Sequence, residues 1–245
     1  MDLYVLIFGL CICILTTGVF LNLRVNKGGV GALMAKTIAS LCFVIFALFL
    51  STTKTGVAYN ASLTITCLIV GLVCGLIGDI LLDLKVMYAF HEDKYLTGGM
   101  TAFSIGHVFN ILGLLLLANN QVNIFSSEYL IPLAIIVGIS LVLTFTTSIV
   151  SKKVLKFEFG KFGWLVNLYS FILMLTTALS IYLCFIGLTS PMFILAIGFV
   201  LFLASDLVLS QQYFGGKKTD KTLTFINHLL YYAAQITIAM FIYFI

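Results

Sequence analysis

Charge is what this sequence has least of. Lys, Arg, Asp and Glu make up 9% of its 245 residues, against roughly 25% in a soluble domain. Hydrophobic residues make up 62% and the mean hydropathy is +1.18. Together these exclude a soluble globular chain, because no core could hide that much apolar surface and lipid must act as the solvent. Proline is almost missing: Pro132 and Pro191 are the two present, both near the starts of apolar runs, where a lost N–H does no harm. No basic stretch precedes the first apolar run and no small-x-small cleavage pattern follows it, so residues 3–23 are expected to be a retained helix rather than a signal peptide. Metal-type cysteine spacing is also lacking. Cys11, Cys13, Cys42, Cys67, Cys74 and Cys184 all fall inside apolar runs, as small buried hydrophobes do. The net charge of +4 points to anionic lipid surfaces at the loops and not to nucleic acid.

Spanning a bilayer takes about 20 apolar residues per helix. The apolar runs and their punctuation predict eight such helices, at about 3–23, 31–52, 61–84, 98–118, 129–150, 162–186, 192–213 and 223–245. The expected fold is therefore an all-α polytopic membrane protein, a single transmembrane domain over residues 1–245 with no room for a soluble domain. The basic residues set an orientation. Arg24, Lys27 and Lys36 flank the first loop, and Lys85 and Lys94 the third. Lys152, Lys153, Lys156 and Lys161 belong to the fifth, and Lys217, Lys218 and Lys221 to the seventh, whereas the even loops hold Lys54. The odd loops are thus expected in the cytoplasm, with both termini on the opposite side.

The two halves are alike. The third helix of each carries a small residue followed by Asp, at Gly78-Asp79 and Ser205-Asp206, and the fourth carries a His near its start, at His107 and His228. This suggests two parallel four-helix repeats, 1–120 and 129–245, related by an axis along the membrane normal.

A carboxylate in hydrocarbon costs on the order of 2.5–3.5 kcal/mol at a helix centre, and three are expected there: Asp79, Asp83 and Asp206. Asp79 and Asp83 share a helix face, although Asp83 is near enough to the interface to read as a solvated helix end. His107 and Asn110 lie on one face of helix 4. His228, Tyr231, Tyr232 and Gln235 form a stripe on helix 8, with Tyr232 also readable as part of an interfacial aromatic belt. With Ser104 and Ser205 nearby, the polar groups gather in the cytoplasmic half, as around a cavity open to that side. His91-Glu92-Asp93 reads as a solvated loop. Three His and an Asp supply zinc-ligand types, but no pair has ligand spacing on one helix turn, so no metal is expected.

The ordered set Gly78-Asp79-Ile80-Leu81-Leu82, Phe90, Gly98, Phe103 and His107, Tyr169 with Met174, Phe202-Leu203-Ala204-Ser205-Asp206-Leu207-Val208-Leu209, and Tyr231-Tyr232-Ala233-Ala234-Gln235 resembles the YhhN-like family of multi-pass membrane proteins, the lysoplasmalogenases. The resemblance covers most of the chain from helix 3 onwards; the first two helices add little beyond hydrophobicity. Asn110 departs from it, standing where a tyrosine three residues after His107 is expected. The resemblance implies hydrolysis of the vinyl ether bond of a lysoplasmalogen, a lysophospholipid, to a fatty aldehyde and a glycerophospho-amine, without a cofactor. Such chemistry needs a carboxylic acid to protonate the β-carbon and a carboxylate to stabilise the resulting cation, a division of labour akin to that of glycosidases. Asp79 and Asp206 are the expected pair. His107 would orient a carboxylate or water, Ser205, Tyr231 and Gln235 would donate hydrogen bonds, and Asp83, Asn110, Tyr169 and His228 would line or support the site. Lys85 or Lys217 would meet the phosphate. A proton-coupled transporter suits intramembrane carboxylates equally, and a metal-dependent hydrolase of another lipid is the third reading.

Overall fold

The computed structural model describes residues 2–54, 59–186, 191–217 and 220–245. Among them the chain forms eight α-helices and no strand: α1 (Asp2–Asn26), α2 (Gly29–Thr52), α3 (Tyr59–Met87), α4 (Glu92–Asn119), α5 (Ser127–Lys153), α6 (Gly163–Phe185), α7 (Met192–Tyr213) and α8 (Lys221–Phe241). Each is long and apolar enough to cross a membrane. α1, α3, α4 and α5 run about a turn or more beyond the apolar runs, because an interfacial turn carries polar residues that hydropathy does not register. The clearest case is α4. It begins six residues earlier than expected, with Glu92 and Asp93 in its first turn, where acidic side chains suit the positive end of the helix dipole. The start of α8 is fixed by Asp220, whose carboxylate accepts the backbone N–H of Thr222 at 2.9 Å and of Leu223 at 3.0 Å. Its α-helical turns stop at Phe241, and a 3-10 turn covers Ile242–Phe244. Gly28 and Gly29 have φ of 66° and 67°, left-handed conformations that let the chain reverse between α1 and α2 in two residues.

The helices close a ring. α1 packs on α2, α2 on α3, α3 on α4, α4 on α6, α6 on α7, α7 on α8, and α8 back on α1; α8 also touches α2 and α3. α5 stands outside the ring against α6, and its buried residues are Ile136, Ser140 and Thr144. Exchanging the halves maps most pairs onto one another: α3/α4 onto α7/α8, α1/α2 onto α5/α6, and α2/α8 onto α6/α4. Two pairs have no counterpart of similar extent among the described residues: α1/α8, which would map onto α5/α4, and α3/α8, which would map onto α7/α4.

The tightest interface is between α3 and α4, where small residues let backbones approach, as in membrane helix pairs generally. A Cβ on Gly106 would lie 3.0 Å from the carbonyl oxygen of Gly71. The odd-numbered connections all lie at one end of the bundle. That end carries Arg24, Lys27, Lys85, Lys94 and the lysines of the fifth and seventh connections; Lys218 lies outside the described residues. Lys36 does not belong with them. It is the eighth residue of α2, about 10 Å into the helix, and is 3% exposed.

Candidate functional site

The buried charges form a chain across three helices. In the last turn of α1, Arg24 donates to Asp83 Oδ2 on α3. Lys36 Nζ on α2 lies 3.3 Å from Asp83 Oδ1 and 3.1 Å from Asp79 Oδ1. The order is therefore cation, carboxylate, cation, carboxylate, neutral in sum, which is how membrane interiors keep ionisable groups. Ser40, one turn along α2 from Lys36, donates to Asp79 Oδ2 at 2.6 Å. Tyr231 on α8 donates to the same oxygen at 2.8 Å and accepts Gln235 Nε2 at 2.9 Å. Tyr232 shares a hydrogen bond with Ser40 at 2.9 Å and donates to the Lys36 carbonyl at 3.1 Å. Asp79 is 2% exposed, and as an anion it accepts three side-chain donors.

A glycine on α3 leaves room for polar side chains of α8. A Cβ on Gly75 would come 2.5 Å from Gln235 Nε2 and 3.3 Å from the Tyr231 hydroxyl. The Tyr231–Gln235 pair occupies that space instead.

Asp206 on α7 sits in different company. Tyr169 on α6 donates to Oδ2. Ser205 Oγ lies 3.4 Å from Oδ1 while donating to the Phe202 carbonyl at 2.8 Å. No Lys, Arg or His among the described residues forms an ion pair with it. Two cavities reach Asp206. One, of about 610 Å³, lies at the odd-loop end, and its wall includes Asp79, Asp83, Asp206, Arg24, Lys27, Lys36, Lys85, Lys221, His228 and Tyr231. The other, of about 110 Å³, lies between α5, α6 and α7, with Leu82 of α3 and Met100 and Phe103 of α4 on its inner side, and is lined mostly by apolar side chains and hydroxyls.

The structure thus brings together Asp79, Asp83, Asp206, Ser205, Tyr169, Tyr231, Gln235 and His228. His228 lies edge-on to Phe20 with ring centroids 5.0 Å apart. Asp83 is not a solvated helix end but an ion-paired group 5% exposed. Tyr232 is no belt residue: it is fully buried, and its hydroxyl braces α2. His107 and Asn110 are not brought to the carboxylates. Neither is in the wall of either cavity. The His107 ring packs edge-on against Phe202 at 4.6 Å, and neither ring nitrogen has a hydrogen-bond partner among the described residues. Asn110 fits into the gap that Gly71 leaves. Lys85 is in the cavity wall, 3.6 Å from Glu92 and 3.4 Å above the Tyr213 ring, whereas Lys217 is exposed and outside it. Asp93, in the loop expected to be solvated, pairs with Lys161. Among the described residues, no three His, Cys, Asp or Glu side chains converge as a metal site.

Sequence reasoning missed Arg24, Lys36 and Ser40 as members of the site. The signal was there: a lone lysine inside the apolar run 31–52 is as costly as an aspartate in one, and the two needed each other.

A model of the YhhN family matches residues 31–242. No curated protein and no solved structure matches the chain.

Proposed function

The chain belongs to the YhhN family, and on that premise we propose that it hydrolyses the vinyl ether bond of lysoplasmalogens, releasing a fatty aldehyde and a glycerophospho-amine. The observation that carries this reading is the placing of two carboxylates with opposite surroundings in the wall of one cavity. Asp79 accepts a lysine and two hydroxyls, which suits an anion that keeps its charge. Asp206 has hydroxyl partners and no ion-pairing cation, and it remains partly exposed, which suits a proton donor that touches substrate.

In the proposed reaction, the Asp206 carboxyl gives its proton to the β-carbon of the enol ether, and the α-carbon becomes an oxocarbenium ion. The negative charge of Asp79 stabilises that cation across the cavity. Water adds to the α-carbon and yields its proton to the Asp206 carboxylate, restoring the acid. The hemiacetal then splits to the aldehyde and the free glycerol hydroxyl. Tyr169 holds the Asp206 carboxyl in one orientation, and Lys36, Ser40 and Tyr231 do the same for Asp79. The basic odd-loop end faces the cytoplasm in this proposal, so the head group enters from that side. A carrier would need a polar path to both faces, and the charged groups described here gather at one end.

The test is aldehyde release from lysoplasmenyl-ethanolamine by the purified protein in detergent, with and without a chelator, beside Asp79→Asn and Asp206→Asn. Release insensitive to chelator and lost in both folded variants is expected. Absence of release from a folded wild type overturns the vinyl ether assignment.

A further inference from the structure

The smaller cavity adjoins the larger one. Asp206, Leu82, Phe103, Leu209 and Tyr213 belong to the walls of both, so the two meet at the proposed acid. On one side of Asp206 the wall is charged, with Arg24, Lys36 and Lys85 against Asp83, Asp79 and Glu92, and with Lys27 and Lys221 beside them. On the other it carries Leu173, Met174, Leu203 and Leu207, softened by the hydroxyls of Thr144 and Ser170. Leu207 is 54% exposed, so the apolar side reaches the lipid-facing surface. α5, which forms its outer wall, packs on α6 and has three buried residues.

An amphiphile whose reactive bond lies where head group and chain join matches this division. Resting on the reading proposed above, we infer that the cavity between α5, α6 and α7 is the subsite for the first carbons of the substrate's single hydrocarbon chain, and that the rest of the chain leaves past Leu207 into the bilayer. The size fits a short stretch of chain: an apolar cavity of about 150 Å³ admits benzene, and this one measures about 110 Å³. The glycerophosphate then occupies the charged cavity, with Lys27 and Lys221 in its wall, and the vinyl ether lies at Asp206. The β-carbon, on the chain side of that bond, is the atom presented to the acid.

The experiment fills the groove. Ser170→Trp, with the milder Ser170→Leu beside it, is compared with Leu141→Trp on the outer face of α5, where Leu141 is 42% exposed and outside both cavities. For a long-chain substrate, Ser170→Trp is expected to raise KM about tenfold or more, the scale on which apolar pockets discriminate, with Ser170→Leu intermediate and Leu141→Trp unchanged. In parallel, a lysophospholipid carrying a diazirine near the start of its chain is photolysed on the wild type and the adducts are mapped by mass spectrometry. Adducts are expected on the peptides of α5, α6 and α7 that line the groove, and are expected to be lost in Ser170→Trp. Adducts confined to α1, α2 and α8, or an unchanged KM in both Ser170 variants, overturn the subsite even if aldehyde is released. Adducts in the groove without aldehyde release overturn the reaction and leave the subsite standing.

Discussion

Asp79 on α3 and Asp206 on α7 are one residue type, and their neighbours divide them. Asp79 is held by Lys36, Ser40 and Tyr231; Asp206 is held by Tyr169 and Ser205. Tyr169→Phe removes the stronger of the two hydroxyl partners of Asp206 and leaves its cavity intact. It is expected to lower kcat for aldehyde release about tenfold to a hundredfold with KM little changed, the pattern of an interaction realised in the transition state. Lys36→Met leaves two buried carboxylates facing Arg24 alone. Breaking a buried ion pair costs on the order of 3–5 kcal/mol, so thermal unfolding in detergent should fall well below the wild type, with part of the loss recovered in Lys36→Met/Asp83→Asn. A wild-type midpoint for Lys36→Met would mean that the lysine is not part of the charge chain. At this scale the aspartates were legible because a charge stands out in an apolar run. Their partners were not, because Arg24 and Lys36 were assigned to the loops by the same rule that orients the bundle. His107, expected to orient a carboxylate or water, packs on the rings of Phe202 and Tyr169; a histidine that faces a site cannot be told by sequence from one packed on aromatic rings.

The elements were easier to read than their contacts. Runs of apolar residues give helices by length alone, and all eight lie within a turn or two of the expected spans. Which helices touch depends on small residues that hydropathy ignores. On α4, Gly106→Ala sets a Cβ 3.0 Å from both the Gly71 carbonyl and Cys74 Cβ. Backbone cannot give way cheaply there, and overpacking is expected to cost about 1–3 kcal/mol, read as a lower unfolding midpoint. On α3, Gly75→Ala meets the far end of the Gln235 side chain, which can swing aside. That variant is expected to keep its stability and lose activity as Tyr231 loses its support; a large loss of stability with full specific activity would place the Tyr231–Gln235 pair outside the site.

For the whole molecule, the charge asymmetry is the clearest feature of the sequence. It predicts that a C-terminal alkaline phosphatase fusion is active and a C-terminal fluorescent-protein fusion dark, since both termini are expected on the non-cytoplasmic side. The reverse result would turn the basic cavity to the other face. The ring of seven helices with α5 outside it was not legible, because helix periodicity says which residues line up and not which neighbour they meet. That outlying helix gives the bundle an apolar cavity beside its charged one, with Asp206 between them.

In the proposed reaction a carboxylic acid at Asp206 protonates the β-carbon of a vinyl ether. Hydrolysis in D2O followed by mass spectrometry of the aldehyde, trapped as it forms, tests it most directly. One deuterium is expected on the carbon next to the carbonyl, introduced at a rate that falls at least a hundredfold in folded Asp206→Asn. Aldehyde without deuterium at that carbon, or an Asp206→Asn variant working at the wild-type rate, contradicts it.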